Sequence, residues 1–353
     1  MTQTSLSSKA DLVLEGGGVK GIALVGALSV LEERGYEFNR VAGTSAGAIV
    51  GALVAAGFPA AELQTIMNEV DYRKFRDGHS WEQLLIGKAA ELLVSDGVYR
   101  GEYLRSWLGN LLEQRHVDTF ADLPYQSSGH SLPSNEVGRL VVMASDISQG
   151  SLRRFPWDYS EHYGRDPLTQ RVADAVRMSM SIPFFYQPVH LKAANGGSSS
   201  IVDGGMLSNF PVDVFDAPQG VEPRWPTFGI KLSVRADAAQ KAARPVKGVF
   251  SLAVAMLDTL TGFYDRMHID KPDVLARTIF IDTGGVKSTN FDIDKATQQM
   301  LYDNGRAAAL RFLDGDGTHP GWNFDAYIKT FRAPTATPTA SSAPEVGQKG
   351  EES

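Results

Sequence analysis

Short apolar runs alternate with longer stretches of helical periodicity along most of this chain, the pattern of strands and helices laid down in turn. Asp11-Leu12-Val13-Leu14-Glu15 predicts a first strand, and a glycine-rich turn then leads into a helix from Ile22 to Glu33 that Gly35 ends. Val41-Ala42-Gly43 predicts a second strand, and the unbroken Ala48-Ile49-Val50-Gly51-Ala52-Leu53-Val54 a second helix reaching Ala56. From Pro59 to Leu112 the periodicity is helical, with helices at Ala60–Val70, Trp81–Val94 and Gly101–Leu112, so residues 59–125 read as an all-helical insert or cap. Arg139–Ser145 predicts a buried strand, and Val172–Ser181 a helix that Ile182-Pro183 stops. Ser200–Val202, Thr227–Leu232 and Arg277–Asp282 predict three further strands before a last helix at Lys295–Leu313. Val249–Tyr264 is apolar on nearly every face, which suits a core helix and leaves a lipid-facing lid as the alternative. The alternation predicts a three-layer α/β/α sandwich with a mostly parallel central sheet, one domain over residues 10–332 between a flexible start at 1–9 and a disordered Ala, Pro, Thr and Ser-rich tail at 333–353.

Candidate chemistry sits where strands end. Gly43-Thr44-Ser45-Ala46-Gly47 joins the second strand to the second helix as Gly-x-Ser-x-Gly, the order a nucleophile elbow requires. Gly43 and Gly47 give the turn its room, and Ser45 falls at a helix N-terminus, where free amides favour negative charge. Gly16-Gly17-Gly18-Val19-Lys20-Gly21 follows the first strand and satisfies Gly-x-Gly-x-x-Gly, the dinucleotide fingerprint. A dinucleotide site also needs an acidic residue at the end of the second strand, and Gly43-Thr44-Ser45 stands there. The competing reading is an anion cradle, in which the amides of Gly17, Gly18 and Ala46 point at one oxyanion. Lys20 can add positive charge beside it or simply be a solvated lysine at a helix start.

Ser200-Ile201-Val202-Asp203-Gly204-Gly205 delivers an aspartate at a strand end, with two glycines turning the backbone away. With an elbow serine upstream, Asp203 is a candidate general base, since a carboxylate in a dry cleft has its pKa raised toward the working range. Asp146 also follows a strand, but turns use Asp routinely and a structural role is the favoured reading. Arg153, Arg154, Phe155, Trp157, Tyr159 and Tyr163 make an aromatic and basic patch, either a lipid headgroup contact or a connecting loop. Asp314–His319 hints at a calcium loop, weakly, because His319 stands where an EF-hand needs Gly.

Composition narrows the classes. With 353 residues, 43% hydrophobic and 21% charged, the chain is ordinary for a globular domain, and a net charge of −7 argues against nucleic acid as a partner. There is no cysteine, which excludes disulfides, thiol nucleophiles and thiolate metal sites. No metal or cofactor is expected. Met1–Leu14 lacks the features of a secretory signal and no apolar run spans a bilayer, so the expectation is a protein soluble and cytoplasmic as synthesised, with peripheral membrane association or leaderless export left open. Oligomeric state is not legible.

Four ordered blocks together resemble the patatin-like phospholipases, lipid acyl hydrolases with a Ser-Asp dyad: Gly16–Gly21, Gly43–Gly47, Met178-Ser179-Met180-Ser181-Ile182-Pro183, and Asp203-Gly204-Gly205. Asp146 and Asn209-Phe210-Pro211 also look like family positions. The resemblance implies Ser45 as nucleophile, Asp203 as base, and the glycine loop from Gly16 with Ala46 as oxyanion hole. Lys20, Gly43, Gly47, Asp146, Pro183, Gly204 and Gly205 are supporting positions. Lys20 stands where the family usually has Arg, keeping charge without the planar fork. The implied activity is phospholipase A-type hydrolysis of a phospholipid or other acyl-ester lipid, with transient membrane binding through the aromatic patch or the Val249–Tyr264 helix. Three alternatives stay open: a Ser-Asp-His esterase using His268 or His319, a nucleotide-binding module built on Gly16–Gly21, and an inactive membrane-binding scaffold.

Overall fold

The computed structural model describes residues 8–77, 97–125, 136–218, 221–233, 259, 270–288 and 290–332. Its centre is an eight-stranded sheet built from β1 (Ser8–Leu14), β2 (Tyr36–Thr44), β4 (Leu140–Asp146), β5 (Ser151–Phe155), β7 (Val189–Lys192), β8 (Ser198–Asp203), β9 (Thr227–Lys231) and β10 (Thr278–Phe280). The order is β10-β9-β1-β2-β4-β8-β7, with β5 paired to β4. From β10 to β4 every pairing is parallel, while β8, β7 and β5 are added antiparallel. The remaining strands, β3 (Gly97–Tyr99) and β6 (Phe184–Tyr186), form a separate parallel pair.

Successive side chains of a strand point to opposite faces. Leu12, Leu14, Val41, Leu140 and Val142 enter the larger apolar cluster, whereas Val13, Ala42, Val141 and Met143 enter a second one. Both faces of the central strands are therefore covered, which is the three-layer arrangement the alternation predicts. On the first face lie α1 (Gly21–Glu33) and α2 (Ala46–Ala55), whose residues are buried almost throughout because the sheet holds one side and further helices the other. The long α8 (Lys295–Asp314) crosses α1 at Gly26 and Gly305, where a Cβ would come within 2.0 Å of Tyr302 O and Ala23 O respectively. On the second face, among the described residues, Trp157, Phe210, Val212, Phe215 and Val274 of α7 (Pro272–Ala276) cover the strands.

Three sequence expectations change. The 59–125 insert contains α3 (Ala60–Glu69) and α4 (Glu102–Glu113) but is not all helical, because Gly97-Val98-Tyr99 finds a parallel partner in the segment after Pro183. The aromatic patch is core: Phe155, Trp157, Tyr159 and Tyr163 are buried, turned inward by β5 and the short α5 (Tyr159–Tyr163), and Phe155 stacks on Tyr159 with ring centroids 4.3 Å apart. It offers no lipid contact. The Asp314–His319 segment is a turn closed on itself, with Asp316 Oδ1 accepting from Thr318 N at 3.0 Å and His319 N at 2.9 Å. The expected Trp81–Val94 helix lies outside the described residues, as does Val249–Tyr264 apart from Thr259.

Candidate active site

Strand register brings the two catalytic candidates to one edge of the sheet. Leu14 pairs with Gly43, so the glycine loop and the elbow leave neighbouring parallel strands at the same level. Thr44 pairs with Met143 and Ala144 with Asp203, so Ser45 and Asp203 each lie one step beyond the β2–β4 ladder, one on either side of β4. Strands about 5 Å apart make that convergence a consequence of topology.

Ser45 has φ 53° and ψ −122°, a strained backbone for a residue with a side chain, and is 5% exposed between β2 and α2. The strain is held by close backbone contact: a Cβ on Gly43 would meet Gly47 O at 2.3 Å, and one on Gly47 would meet Leu14 O at 2.3 Å. A hydroxyl from the helix α6 (Val172–Ser179) completes the turn. Ser45 N donates to Ser179 Oγ at 2.8 Å, and Ser179 Oγ donates to Met143 O at 2.6 Å. Sequence reading grouped Ser179 with a motif but gave it no role, since its partners are distant in the chain.

Asp203 is 6% exposed. Its Oδ1 accepts from Gly205 N at 2.7 Å, and its amide donates to Ser181 O at 2.9 Å. A Cβ at Gly204 would lie 2.5 Å from Met143 O, so the turn after the aspartate is pressed onto β4. Oδ2 is buried with no hydrogen-bond donor among the described residues. Burial pushes the carboxyl up to about 6, opposed by the nearby Ser45 hydroxyl and the Gly205 amide. Ser45 Oγ lies 3.3 Å from Met180 Sδ, and its hydroxyl is near enough to the Asp203 carboxyl to favour the ionised form.

The glycine loop is pinned from below by charge. Glu15 accepts from Lys231 Nζ and Leu232 N, and Asn209 Nδ2 bridges Glu15 Oε1 at 3.3 Å and Gly16 O at 3.1 Å. Glu15 and Lys231 are both buried, so the pair compensates two charges that would otherwise be costly. Gly16 N donates to Asn209 O at 3.3 Å and is taken out of the expected set of oxyanion donors. Its lack of a side chain matters instead, because a Cβ there would sit 2.2 Å from Asn209 Oδ1 and 3.1 Å from Ser45 Cβ. Gly18 has φ +56°, and a Cβ would lie 2.0 Å from Ser288 O. The amides of Gly17, Gly18 and Ala46 are paired with no acceptor among the described residues. Lys20 runs alongside, its Cε 3.4 Å from where a Gly17 Cβ would be.

The supporting positions divide. Pro183 follows the helix end and precedes Phe184, which has φ 67°. Ser181, which holds the Asp203 amide, accepts from the buried Arg177, and Arg177 also donates to Gln187 O at 3.0 Å. Asp146 is fully buried: Oδ1 accepts from Ser148 N and Gln149 N at 3.0 and 3.1 Å, and Oδ2 from Tyr163 Oη at 2.9 Å. Among the described residues no histidine hydrogen-bonds Ser45 or Asp203. His319 is exposed and faces Thr318 and Asp316, and His268 lies outside the described residues. Beside the nucleophile a narrow apolar cavity of about 10 Å³ is lined by Gly18, Ala46, Ile49, Trp107, Met180 and Phe291 among others. Among the described residues no helix is long and apolar enough to cross a membrane.

A patatin-like phospholipase family model matches residues 12–216, which hold all four sequence blocks. The uncharacterised protein YqhO of Bacillus subtilis (strain 168) is 35% identical over 304 residues, covering 86% of this chain and 97% of that one. An uncharacterised NTE family protein, Rv1063c, of Mycobacterium tuberculosis (strain ATCC 25618 / H37Rv) is 45% identical over 208 residues, 59% of this chain but 46% of its own length. Among solved structures, VipD from Legionella pneumophila has a TM-score of 0.48 at 17% identity, covering 86% of this chain and 66% of that one. With the family pattern matched over more than half of its length and a full-length relative at 35% identity, the chain belongs to the patatin-like phospholipases, a family of lipid hydrolases.

Proposed function

We propose that the protein is a lipid acyl hydrolase that cleaves carboxylic esters of phospholipid or related acyl lipids through Ser45 and Asp203. The observation that carries this reading is the convergence of a strained elbow serine with a desolvated aspartate across β4, beside amides with no acceptor among the described residues. In the first half-reaction Asp203 Oδ2 takes the Ser45 hydroxyl proton as Oγ attacks the ester carbonyl, and the negative charge on the carbonyl oxygen faces the amides of Gly17, Gly18 and Ala46. The tetrahedral intermediate collapses to an acyl-enzyme, and Asp203 returns the proton to the leaving alcohol. Water then replaces that alcohol: Asp203 removes its proton, hydroxide attacks the acyl carbon, and Ser45 leaves reprotonated.

A base with a carboxyl near 6 is ionised at neutral pH and still basic enough to accept a hydroxyl proton in the transition state. The test is a panel of phospholipids, lysophospholipids and acylglycerols assayed with wild type, Ser45→Ala and Asp203→Asn. Both variants are expected to lose hydrolysis by at least about a hundredfold. Hydrolysis by Ser45→Ala at the wild-type rate overturns the reading.

A further inference from the structure

Apart from the candidate active site, a cavity of about 400 Å³ is lined by five arginines, Arg100, Arg105, Arg165, Arg171 and Arg177. Neither Ser45, Asp203 nor the glycine loop belongs to its lining. Two carboxylates do, Glu102 and Asp174, and both are engaged by Arg105, at 3.4 and 2.5 Å. Arg171 pairs at 2.8 Å with Asp118, which is not in the lining. Arg165 reaches only the neutral Gln170 Oε1, at 3.4 Å, and neither it, Arg100 nor Arg177 is ion-paired with a carboxylate among the described residues. Five cations against two carboxylates, in a chain of net charge −7, are a local reversal of sign.

Arg177 is the fixed part of this lining. It is 5% exposed, and its guanidinium is held by uncharged acceptors: Nε donates to Arg100 O at 2.9 Å, Nη2 to Arg100 O and to Gln187 O, and Nη1 to Ser181 Oγ at 2.5 Å. A Cβ at Gly101 would lie 2.0 Å from Nε, so the backbone there is pressed against the guanidinium. Carbonyl and hydroxyl oxygens satisfy the hydrogens but bring no counter-charge, and a buried cation without an anion is costly. The Tyr186 ring, with its centroid 5.2 Å away, offsets part of that cost. Arg100 and Arg165, by contrast, are exposed. A guanidinium fork matches a phosphate, and a phosphate monoester carries close to two negative charges at neutral pH. The cavity is also large enough for a phosphate bearing a small organic group.

We propose that this cavity binds a phosphate monoester, with Arg177 as the preset anchor and Arg100 and Arg165 supplying the balancing charge. The same chemistry is offered by a small soluble phosphate ester and by the headgroup of a lipid with a terminal phosphate. The site is separate from the Ser45–Asp203 centre and does not depend on the reaction proposed there.

Two binding measurements on the full-length protein test it. Glycerol 3-phosphate is titrated calorimetrically into wild type, and Ser45→Ala, used so that no lipid is consumed, is sedimented with phosphatidylcholine vesicles with and without phosphatidic acid. Both are repeated with Arg100→Gln and Arg165→Gln combined, or singly if the pair does not fold. Binding to at least one probe is expected, weakened at least about tenfold by the glutamines, the scale of a lost charged hydrogen bond. Binding of glycerol 3-phosphate without vesicle association assigns a soluble ester, and association that requires phosphatidic acid without binding of the soluble probe assigns a headgroup. Binding to neither probe, or equal affinity in the glutamine variant, overturns the site. Labelling of Ser45 by a fluorophosphonate is expected to stay within about twofold of wild type in the glutamine variant; loss of labelling together with binding makes these arginines part of the reaction centre and overturns a separate site. Labelling of Ser45→Ala by the same reagent contradicts the dyad and leaves the binding result untouched.

Discussion

Replacing Asp203 by Asn removes a charge with almost no change of shape, and the structure sets what that does to stability. Desolvation moves the native carboxyl from an ordinary 3.8 to about 6, with the Ser45 hydroxyl and the Gly205 amide pulling the other way. Between those values the folded chain binds more protons at this site than the unfolded chain, so stability falls as pH rises through the window. The contribution is complete below the unfolded pKa and gone above about 6. At about 1.4 kcal/mol per pH unit the difference amounts to about 3 kcal/mol. Asparagine has no such titration. Relative to wild type, Asp203→Asn is therefore expected to gain about 2.4 kcal/mol in stability on going from pH 4 to pH 8 while losing hydrolysis at every pH. Urea-unfolding midpoints of both proteins at the two pH values, with m unchanged, give the comparison. An equal offset at pH 4 and pH 8, or a wild type that gains on the variant toward alkaline pH, would refute the assignment of a desolvated carboxylate.

Four further outcomes are expected. In wild type, kcat/KM rises about tenfold per pH unit up to about pH 6 and levels above it, following the Asp203 carboxyl; a flat profile from pH 5 to pH 8 excludes Asp203 as the base. Ser179→Ala leaves the Ser45 amide without its acceptor and lowers kcat by about ten- to a hundredfold at little change in KM, the scale of one unmet buried hydrogen bond; an unchanged kcat removes Ser179 from the elbow's support. Gly47→Ala sets a methyl 2.3 Å from Leu14 O, and the backbone shift it forces costs about 1–3 kcal/mol or more together with loss of Ser45 labelling. Gly305→Ala, at 2.0 Å from Ala23 O, lowers Tm by several degrees with labelling of Ser45 by a fluorophosphonate retained in the folded fraction, and an unaltered Tm contradicts the α1–α8 contact.

What the sequence made legible was what the backbone demands locally. Gly43 and Gly47 flank a turn that leaves no room for side chains, Gly18 holds a positive φ, and Asp203-Gly204-Gly205 ends a strand, so each left a signature within a few residues. The partners that hold these turns left none. Ser179 reaches Ser45 across 134 positions, and Lys231 reaches Glu15 across 216, contacts that only sheet order creates. Gly16 is a related case: its place in the motif is plain, but only the fold gives its amide to Asn209. The aromatic patch was misread because Phe155, Trp157, Tyr159 and Tyr163 have the same composition whether they meet lipid or a core, and the strand after Gly150 turns them inward. Asp146 reads from the sequence as a turn residue, and its bond to Tyr163 has no local trace.

The ladder beside β1 bears on where this protein can be cut. A fragment stopping at Asp216 would carry the nucleophile, the base and the glycine loop, and so every atom of the proposed chemistry. It would also lack β9, leaving one long edge of β1 open to stray pairing, and Glu15 would be a buried anion without its lysine. Asp216 itself would lose Arg277 and Arg332, the two cations it holds at 2.5 and 2.7 Å. A fragment that keeps all of these pairs therefore extends through Arg332, well past Asp203.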